Sequence, residues 1–152
     1  ELLPSEELFA QVPVYYDAIT MWHVLEHVHD LHDYITQIHK LLKPGGMAFI
    51  AVPNYTSSDA AHYQAEWAAY DVPRHLYHFS PKAMFILLAQ HKLSIVETLP
   101  MYFDSYYVSM LSEKNTRGKN HFVSAVLTAS LSNMKAMEKK DRYSSLIYVV
   151  KK

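Results

Sequence analysis

The sequence predicts an open α/β fold, in which short strands alternate with helices around a single hydrophobic core. The chain has 152 residues, a length that accommodates one domain. Of these residues 50% are hydrophobic and 19% are charged, a balance that favours a packed interior over disorder. Apolar β-prone runs alternate along the chain with helical apolar patterns, and this alternation indicates four strands with helices between them.

The first predicted strand leads directly into the first predicted helix. The apolar run Asp17–Met21 lacks a strict polar alternation, which predicts a strand buried on both faces. Asp30 is the expected N-cap of the helix. The apolar positions of this helix follow helical spacing and are Leu31, Tyr34, Ile35, Ile38, Leu41 and Leu42. We therefore expect one face of the helix to pack against the sheet.

A turn and a second strand complete this unit. Lys43–Gly46 places a cation at the helix C-terminus and then a proline and two glycines, which together predict the end of the helix. Met47–Val52 is a second, nearly continuous apolar run. A strand, a helix and a strand in this order predict a parallel pair of strands joined by a right-handed crossover.

The second half of the chain supplies the remaining predicted elements. They are an aromatic loop at 55–79, a helix from Ser80 to about His91, a strand at 93–101, two helical patterns within 104–137 that break near 115–120, and a strand at 145–150. The helix that follows Ser80 and Pro81 has an expected buried side formed by Met84, Phe85, Leu87 and Leu88. The last helical pattern is marked by Val123, Val126, Leu127, Leu131 and Met134.

The composition excludes several classes of protein. The three glycines, Gly45, Gly46 and Gly118, cannot form a glycine-rich nucleotide loop, so a nucleotide site must use other residues or lie partly outside this chain. The formal net charge of −1 gives no electrostatic basis for binding nucleic acid. The chain has no cysteine, which removes disulfides and thiolate zinc sites.

The apolar runs and the start of the chain bear on its location and completeness. No apolar run approaches the ~20 residues that cross a bilayer, so we expect no membrane partner and a soluble, cytoplasmic protein. The chain begins at Glu1 with no initiator methionine and no signal segment, which favours an excised piece of a longer protein.

Histidines cluster directly after the first predicted strand. The segment Trp22–Asp30 lies at the carboxyl end of that strand, where open α/β sheets bind their ligands. His23, Glu26 and His27 match the H-x-x-E-H pattern of inverted zinc peptidases, which makes zinc-dependent hydrolysis one alternative. That pattern needs a helix, and we expect only the last residues of this segment to be helical. The structural alternative is that these side chains cap a loop and the next helix.

Three segments in this order resemble a known family. Tyr16–Val28, Leu41–Gly46 and Phe49–Asn54 are similar to the second half of a class I S-adenosylmethionine-dependent methyltransferase, of the broad group that includes the ubiquinone-biosynthesis O-methyltransferases. Asp71–Leu76 and Phe79–Pro81 resemble the acceptor-side loop and the next helix of one subgroup. The resemblance covers most of the chain and is weakest between Thr116 and Tyr143.

The resemblance implies a partial Rossmann-like sheet that holds strands 4 to 7 of the methyltransferase fold, in the order 4-5-7-6 with the last strand antiparallel. The first strand of the family, its glycine-rich loop and the acidic residue that binds the ribose precede the matching segment. Residues 1–152 would then be the C-terminal part of a methyltransferase domain. We expect this chain to have little activity alone.

The resemblance also implies which residues form the cofactor site. Met21, Trp22, His23 and His27 are the expected contacts of S-adenosyl-L-methionine, although Trp22 has core packing as its alternative. His23 and His75 are the candidate catalytic bases, because an imidazole titrates near pH 6.5 and needs little tuning to accept a proton. No metal is expected.

The acceptor is expected to be a small molecule. The candidate acceptor-binding residues are Arg74, His78 and Tyr106. The guanidinium of Arg74 suits an anionic group, but an ion pair with Asp71 that fixes the loop is equally consistent with the sequence. A third alternative is a non-catalytic domain, because the predicted sheet leaves an exposed edge beside its first strand through which two copies can pair.

Overall fold

The computed structural model describes residues 5–119 and 121–152 and shows a four-stranded mixed sheet with flanking helices. The strands are β1 (Tyr16–Trp22), β2 (Leu42–Pro53), β3 (Ser94–Pro100) and β4 (Ser145–Lys151). The α-helices are α1 (Leu31–Leu41), α2 (Ser58–Tyr63), α3 (Pro81–Gln90), α4 (Asp104–Arg117) and α5 (Phe122–Glu138). Short 3₁₀ turns occupy Ser5–Ala10, Gln64–Glu66, Ala68–Tyr70 and Lys140–Arg142. The predicted α/β class is confirmed.

The strands lie in the order β1-β2-β4-β3. β1 and β2 are parallel, as the predicted strand–helix–strand unit requires, and β4 runs antiparallel to both β2 and β3. The last strand of the chain therefore lies between two earlier strands. This insertion brings the start of β4 next to the carboxyl end of β2, where Ser145 pairs with Pro53.

The turn between α1 and β2 is shorter than the sequence predicts. Leu42 is not helical but extended, with φ −67° and ψ 136°, and the strand register shifts between Tyr16 and Ala18. Gly45 has a φ of +80°. A Cβ on Gly46 would lie 3.0 Å from the carbonyl oxygen of Lys43, so the chain needs glycine where β2 passes this close to its own backbone.

β1 is less buried than predicted. Met21 is its only buried residue, which makes the prediction of burial on both faces wrong. Ile19 and Met21 pack against the core, whereas the alternating residues Ala18, Thr20 and Trp22 are exposed, so the described residues cover only one face of β1. An apolar sequence predicts a strand that is stable when buried, but whether it is buried depends on the elements that pack against it.

The main core lies between the sheet and α1 and α3. Ile35 and Ile38 of α1 and Met84 and Leu88 of α3 pack into one cluster with strand residues such as Ile50. The Ser80 hydroxyl caps α3 by accepting a hydrogen bond from the Ala83 amide at 3.2 Å, as predicted. Phe85, expected on the buried side of α3, is 63% exposed.

The first of the two helices between β3 and β4 ends at Arg117. Gly118 ends α4 with a φ of +69°, within the predicted break; Asn120, the last residue of that break, lies outside the described residues. The large apolar residues that marked the α5 pattern are exposed or half-buried, whereas its alanines are buried. Of the helices described, none is long and apolar enough to span a bilayer.

Candidate active site

The segment that follows β1 forms a series of turns and contains no helix before Leu31. The expectation that its last residues are helical is therefore wrong. His23 follows the last residue of β1 and has a φ of +53°, a conformation that is uncommon for a residue with a side chain. Its amide donates to the carbonyl oxygen of Ala51 in β2 at 3.0 Å, which fixes His23 at the carboxyl end of the parallel pair.

His23 lies between two carboxylates. Its Nδ1 is 3.1 Å from Glu26 Oε1, and its Nε2 is 3.7 Å from Asp104 Oδ2. The hydrogen bond to Glu26 is the main cause that raises the pKa of His23 above its ordinary value; the charges of Asp104 and Glu26 add to this effect, and burial opposes it. His23 Nε2 has no hydrogen-bond partner among the described residues. This nitrogen is also buried, and it lies on the side of the ring that faces Asp104.

The two carboxylates are positioned by different parts of the fold. Glu26 is 1% exposed, and its Oε2 has no hydrogen-bond partner among the described residues. Asp104 is the first residue of α4, and its Oδ2 accepts a hydrogen bond from the Ser145 hydroxyl at the start of β4. Asp104 was not predicted from the sequence, since 81 positions separate it from His23; its place just after β3 was the available signal.

A cavity of about 230 Å³ opens beside these residues. It lies between the carboxyl end of the sheet, the loop after α2 and one side of α4. The residues of the site that line it are His23, Glu26, Asp71, Arg74, His75 and Asp104. Tyr107, Val108 and Leu111 add an apolar wall from α4. The cavity therefore combines a titratable end with an apolar side, an arrangement that suits a small organic molecule.

His75 lies on the wall of this cavity opposite α4. Its Nδ1–H donates to the carbonyl oxygen of Ala69 at 2.8 Å, and its Nε2 is 3.8 Å from Asp71 Oδ2. Burial is the main cause that lowers the pKa of His75 below its ordinary value, and the hydrogen bond to Ala69 opposes this shift. His23 and His75 thus line one cavity with pKa values shifted in opposite directions.

A second, more open cavity of about 560 Å³ lies on the other side of the loop after β1. His23 and His27 line it, together with Val24, Val28 and Tyr34. The rings of His27 and His75 are packed edge to face, with their centroids 4.6 Å apart. The Nδ1–H of His27 donates to the carbonyl oxygen of Arg74 at 3.1 Å. The loop after β1 thus separates two cavities, and His23 reaches both.

Comparison with known proteins identifies the family. A model of the methyltransferase domain family matches residues 4–98, more than half of the chain. The chain belongs to the methyltransferase domain family. No curated protein sequence matches it.

Solved structures with the same fold include several methyltransferases. A SAM-dependent methyltransferase from Archaeoglobus fulgidus is 17% identical, with a TM-score of 0.55 over 97% of this chain and 64% of that one. The 4+2 cyclase SpnF is 14% identical, with a TM-score of 0.56 over 92% of this chain and 50% of that one. The 1,6-didemethyltoxoflavin N1-methyltransferase from Burkholderia thailandensis is 16% identical, with a TM-score of 0.51 over 93% of this chain and 46% of that one.

These alignments show the fold, and they show that this methyltransferase domain spans about half to two thirds of the length of those proteins. Each of the three alignments takes in nearly all of the present chain. The neighbours therefore contain a further part for which this chain has no counterpart.

The structure brings together some of the predicted site residues of the methyltransferase domain. His23, His75 and Arg74 line the smaller cavity, and His23 and His27 line the larger one. Met21 lies in the hydrophobic core, whereas Trp22 is 50% exposed at the end of β1, so core packing does not explain Trp22.

Two predicted acceptor-binding residues lie outside the smaller cavity. The ring of His78 bonds to the carbonyl oxygen of Tyr70 at 2.9 Å, and the Tyr106 hydroxyl shares a hydrogen bond of 3.2 Å with Ser130 of α5. The neighbouring Tyr107 lines the cavity instead. Arg74 Nη2 donates to Asp71 Oδ1 at 2.6 Å, so the loop-fixing ion pair is present and both of its members line the cavity.

The zinc alternative is not favoured. Its pattern requires a helix, and the segment with His23, Glu26 and His27 consists of turns. The potential ligand atoms that lie within 4.8 Å of one another belong to Glu26, His27 and His75, so His23 is not part of that set. His23 is engaged by Glu26 instead. Membership of a methyltransferase family supports a different chemistry.

Proposed function

We propose that this chain is the C-terminal part of an S-adenosylmethionine-dependent methyltransferase that acts on a small-molecule acceptor. The match of residues 4–98 to the methyltransferase domain family is the observation that carries this proposal. The cavity of about 230 Å³ at the carboxyl end of the sheet supports a small acceptor. One structural neighbour holds 1,6-didemethyltoxoflavin together with S-adenosylhomocysteine, so this fold accommodates both ligands in that protein.

We further propose that β1, β2, β3 and β4 correspond to strands 4, 5, 6 and 7 of the class I methyltransferase fold. The order β1-β2-β4-β3 with β4 antiparallel supports this assignment. No strand of the described residues pairs with the outer edge of β1, and this supports upstream strands that would bond its free N–H and C=O groups. The sequence contains three glycines and no G-x-G motif, so the upstream part would also supply the glycine-rich loop.

The residues present fit one end of the cofactor. His23 and His27 line the larger cavity beside β1, and the exposed ring of Trp22 lies at the end of that strand. We propose that these residues contact the methionine part, where a sulfonium also gains from a nearby aromatic face. When bound, S-adenosylmethionine supplies an electrophilic methyl group. The buried Met21 would act by packing beneath this surface.

His23 is the proposed catalytic base. Glu26 accepts from its Nδ1–H, which leaves the Nε2 lone pair of the neutral ring available to take a proton from the acceptor. Asp104, 3.7 Å from Nε2, would stabilise the imidazolium that results. His75 stays neutral more readily and is suited to orient the acceptor, and the Arg74–Asp71 pair forms the adjoining wall. Most of the rate would come from holding donor and acceptor in contact.

The assignment of the chain to a subgroup of methyltransferases rests on the sequence. Leu25–Val28 and Leu41–Gly46 resemble the group that includes the ubiquinone-biosynthesis O-methyltransferases, and we propose that the chain belongs to a cytoplasmic enzyme of that group. The outer edge of β1 could also pair two copies of the chain, but a strand from the upstream part would occupy the same edge. Sedimentation of the longer protein distinguishes these two arrangements.

The test is calorimetry with S-adenosylhomocysteine on two proteins. One is the 152-residue chain, and the other is the same chain extended by the residues that precede Glu1 in its gene. We expect micromolar binding by the extended protein and none by the shorter one. Equal binding by both proteins would contradict the fragment proposal, and no binding by the extended protein would contradict the methyltransferase proposal.

A further inference from the structure

The exposed side of α5 is built from large apolar residues. The helix packs on its neighbours through small side chains, and the buried ones are Ala125, Ala129, Ser132 and Ala136. Six large apolar side chains on the other sides are each more than half exposed: Phe122, Val123, Leu127, Leu131, Met134 and Met137. We call these six residues the α5 face. A helix on the surface of a protein normally turns such residues inward, so the α5 face is the reverse of the usual arrangement.

Positive charge is concentrated in the part of the sequence that contains α5. Residues 113–142 hold seven of the fourteen Lys and Arg residues and three of the fifteen Asp and Glu residues, which gives this segment a formal charge of +4 in a chain of net −1. Glu113, one of the three acids, is buried and pairs with Arg117. Lys114 and Lys119 stand near the start of α5, and Lys135 and Lys139 stand at its end, all exposed.

We propose that the α5 face binds an anionic lipid surface. A helix that lies in the bilayer interface needs one apolar face and flanking cations, and α5 has both. The charge of the segment favours anionic headgroups, each nearby lysine adding to the attraction. A second copy of the chain would bring the same positive charge against itself. Methyl transfer is not required for this binding, so the inference goes beyond the proposed function.

The sequence predicts no membrane partner because no apolar run is long enough to cross a bilayer. Binding of a helix to the bilayer surface does not require such a run. A helix that spans the bilayer needs ~20 apolar residues, whereas an interfacial helix is buried only on one side. α5 has 17 residues and a polar strip that includes Ser124, Thr128 and Lys135, which suits a helix parallel to the surface. The helix would dock by its α5 face while its alanine side stays packed on α4.

The test is co-sedimentation with vesicles of the longer protein, that is, the chain together with the residues that precede Glu1 in its gene. We expect binding to mixed phosphatidylcholine and phosphatidylglycerol vesicles, weak binding to pure phosphatidylcholine, and loss of binding at high salt. The pair Leu127→Ser and Leu131→Ser removes apolar contact and should weaken the partition coefficient about tenfold. The pair Lys135→Glu and Lys139→Glu should weaken it by at least about fivefold for each residue changed.

A matched control removes exposed apolar residues elsewhere. Phe85 and Ile86 of α3 are 63% and 46% exposed, and the pair Phe85→Ser and Ile86→Ser should leave vesicle binding unchanged. Thermal melts of every variant check that the fold persists. Binding that is absent on the anionic vesicles, or that the α5 variants do not change, overturns the proposal. So does a dimer that the Leu127→Ser and Leu131→Ser pair dissociates, because the α5 face is then a contact between copies.

Discussion

The buried carboxylate of Glu26 accepts a hydrogen bond from His23 Nδ1 at 3.1 Å, and this contact decides which nitrogen of His23 remains free. Three positions separate the two residues, and the turns after β1 bring them together. Because the ionised carboxylate favours the imidazolium, the contact also raises the pKa of His23. The tautomer of the proposed base thus depends on Glu26, which is also the main cause of its raised pKa.

Replacing Glu26 by glutamine should lower the pKa of His23. The amide oxygen of Glu26→Gln keeps a hydrogen-bond acceptor for Nδ1 but removes the negative charge. NMR titration of the His23 ring measures the change. Glu66→Gln, an exposed acid outside the site, is the control and should leave the His23 titration as it is. An unchanged pKa of His23 in Glu26→Gln would show that Glu26 has no electrostatic role.

The same contact should make folding stability depend on pH. His23 has a folded pKa above its ordinary value of 6.5, so the stabilising contribution is fully present below pH 6.5 and is lost as pH rises through the folded pKa. Unfolding by urea between pH 6 and 8 should therefore show a smaller loss of stability in Glu26→Gln than in the wild-type protein. A parallel pH dependence of the two proteins would contradict this coupling.

Replacing His23 by glutamine should slow methyl transfer by the longer protein. Loss of a general base costs about 10²- to 10⁴-fold in kcat when the acceptor must lose a proton. In the wild-type protein the rate should rise with pH through the raised pKa of His23, and this rise should be missing in His23→Gln. His78→Gln, on a residue outside the smaller cavity, is the matched control. An equal pH profile in both proteins would remove His23 from the role of base.

Gly46 should tolerate substitution poorly. A Cβ at this position would lie 3.0 Å from the Lys43 carbonyl oxygen and 3.2 Å from those of Tyr16 and Asp17. All three atoms are backbone, so a Cβ fits only if the backbone of β1 or β2 shifts by a few tenths of an ångström. Gly46→Ala should cost about 1 to 3 kcal/mol of unfolding free energy, measured with urea. Gly118→Ala, which meets only the strain of a φ of +69°, should cost about 1 kcal/mol.

Much of the fold follows from local sequence patterns. The apolar stripe of α1 and the run Met47–Val52 specify a helix and a strand by themselves, and both lie where they were predicted. Which residues are buried is harder to predict from local patterns, because burial depends on the elements that pack against each residue. β1 has an apolar sequence, but only one strand of the described residues lies beside it. The large apolar residues of α5 recur with helical spacing, but the buried residues of this helix include the alanines between them.

Only some residues of the candidate site could be predicted from the sequence. His23, His75 and Arg74 belong to segments with recognisable patterns, and they meet at one cavity. Asp104 carries no pattern of its own and reaches His23 because β4 inserts next to β2 and Ser145 holds the start of α4. Contacts of this kind depend on the three-dimensional path of the chain, which a single sequence does not reveal.

Asp59 should be essential for the packing of α5. Its buried carboxylate accepts hydrogen bonds from Trp67 Nε1 at 2.8 Å, Ser132 Oγ at 3.0 Å and Ser144 Oγ at 2.7 Å. Asp59→Asn turns an amide donor toward these donors and should cost about 2 to 4 kcal/mol of unfolding free energy. Ser132→Ala removes one of the three bonds and should cost about 1 kcal/mol. Equal costs for the two variants in urea unfolding would contradict this account.

A histidine pair between α1 and α3 should make the protein less stable in acid. His32 Nδ1 and His91 Nε2 share a hydrogen bond of 2.8 Å, and His91 Nδ1 bonds with Thr36 Oγ1 at 3.0 Å. Burial, with a smaller effect of the His32 charge, lowers the pKa of His91 below 6.5. The unfolded chain therefore takes up this proton first, and stability falls as pH drops through 6.5 toward the folded value.

The variant His91→Gln separates this pair from the other histidines. Glutamine retains a polar group beside His32 but does not titrate, so the decrease of the melting temperature between pH 7 and pH 5 should be smaller in His91→Gln than in the wild-type protein. His29→Gln changes an exposed histidine on the loop before α1 and should keep the wild-type decrease. An equal decrease in all three proteins would show that the acid sensitivity arises elsewhere. The half-buried His75, whose pKa is also lowered by burial, is the next residue to test by the same comparison.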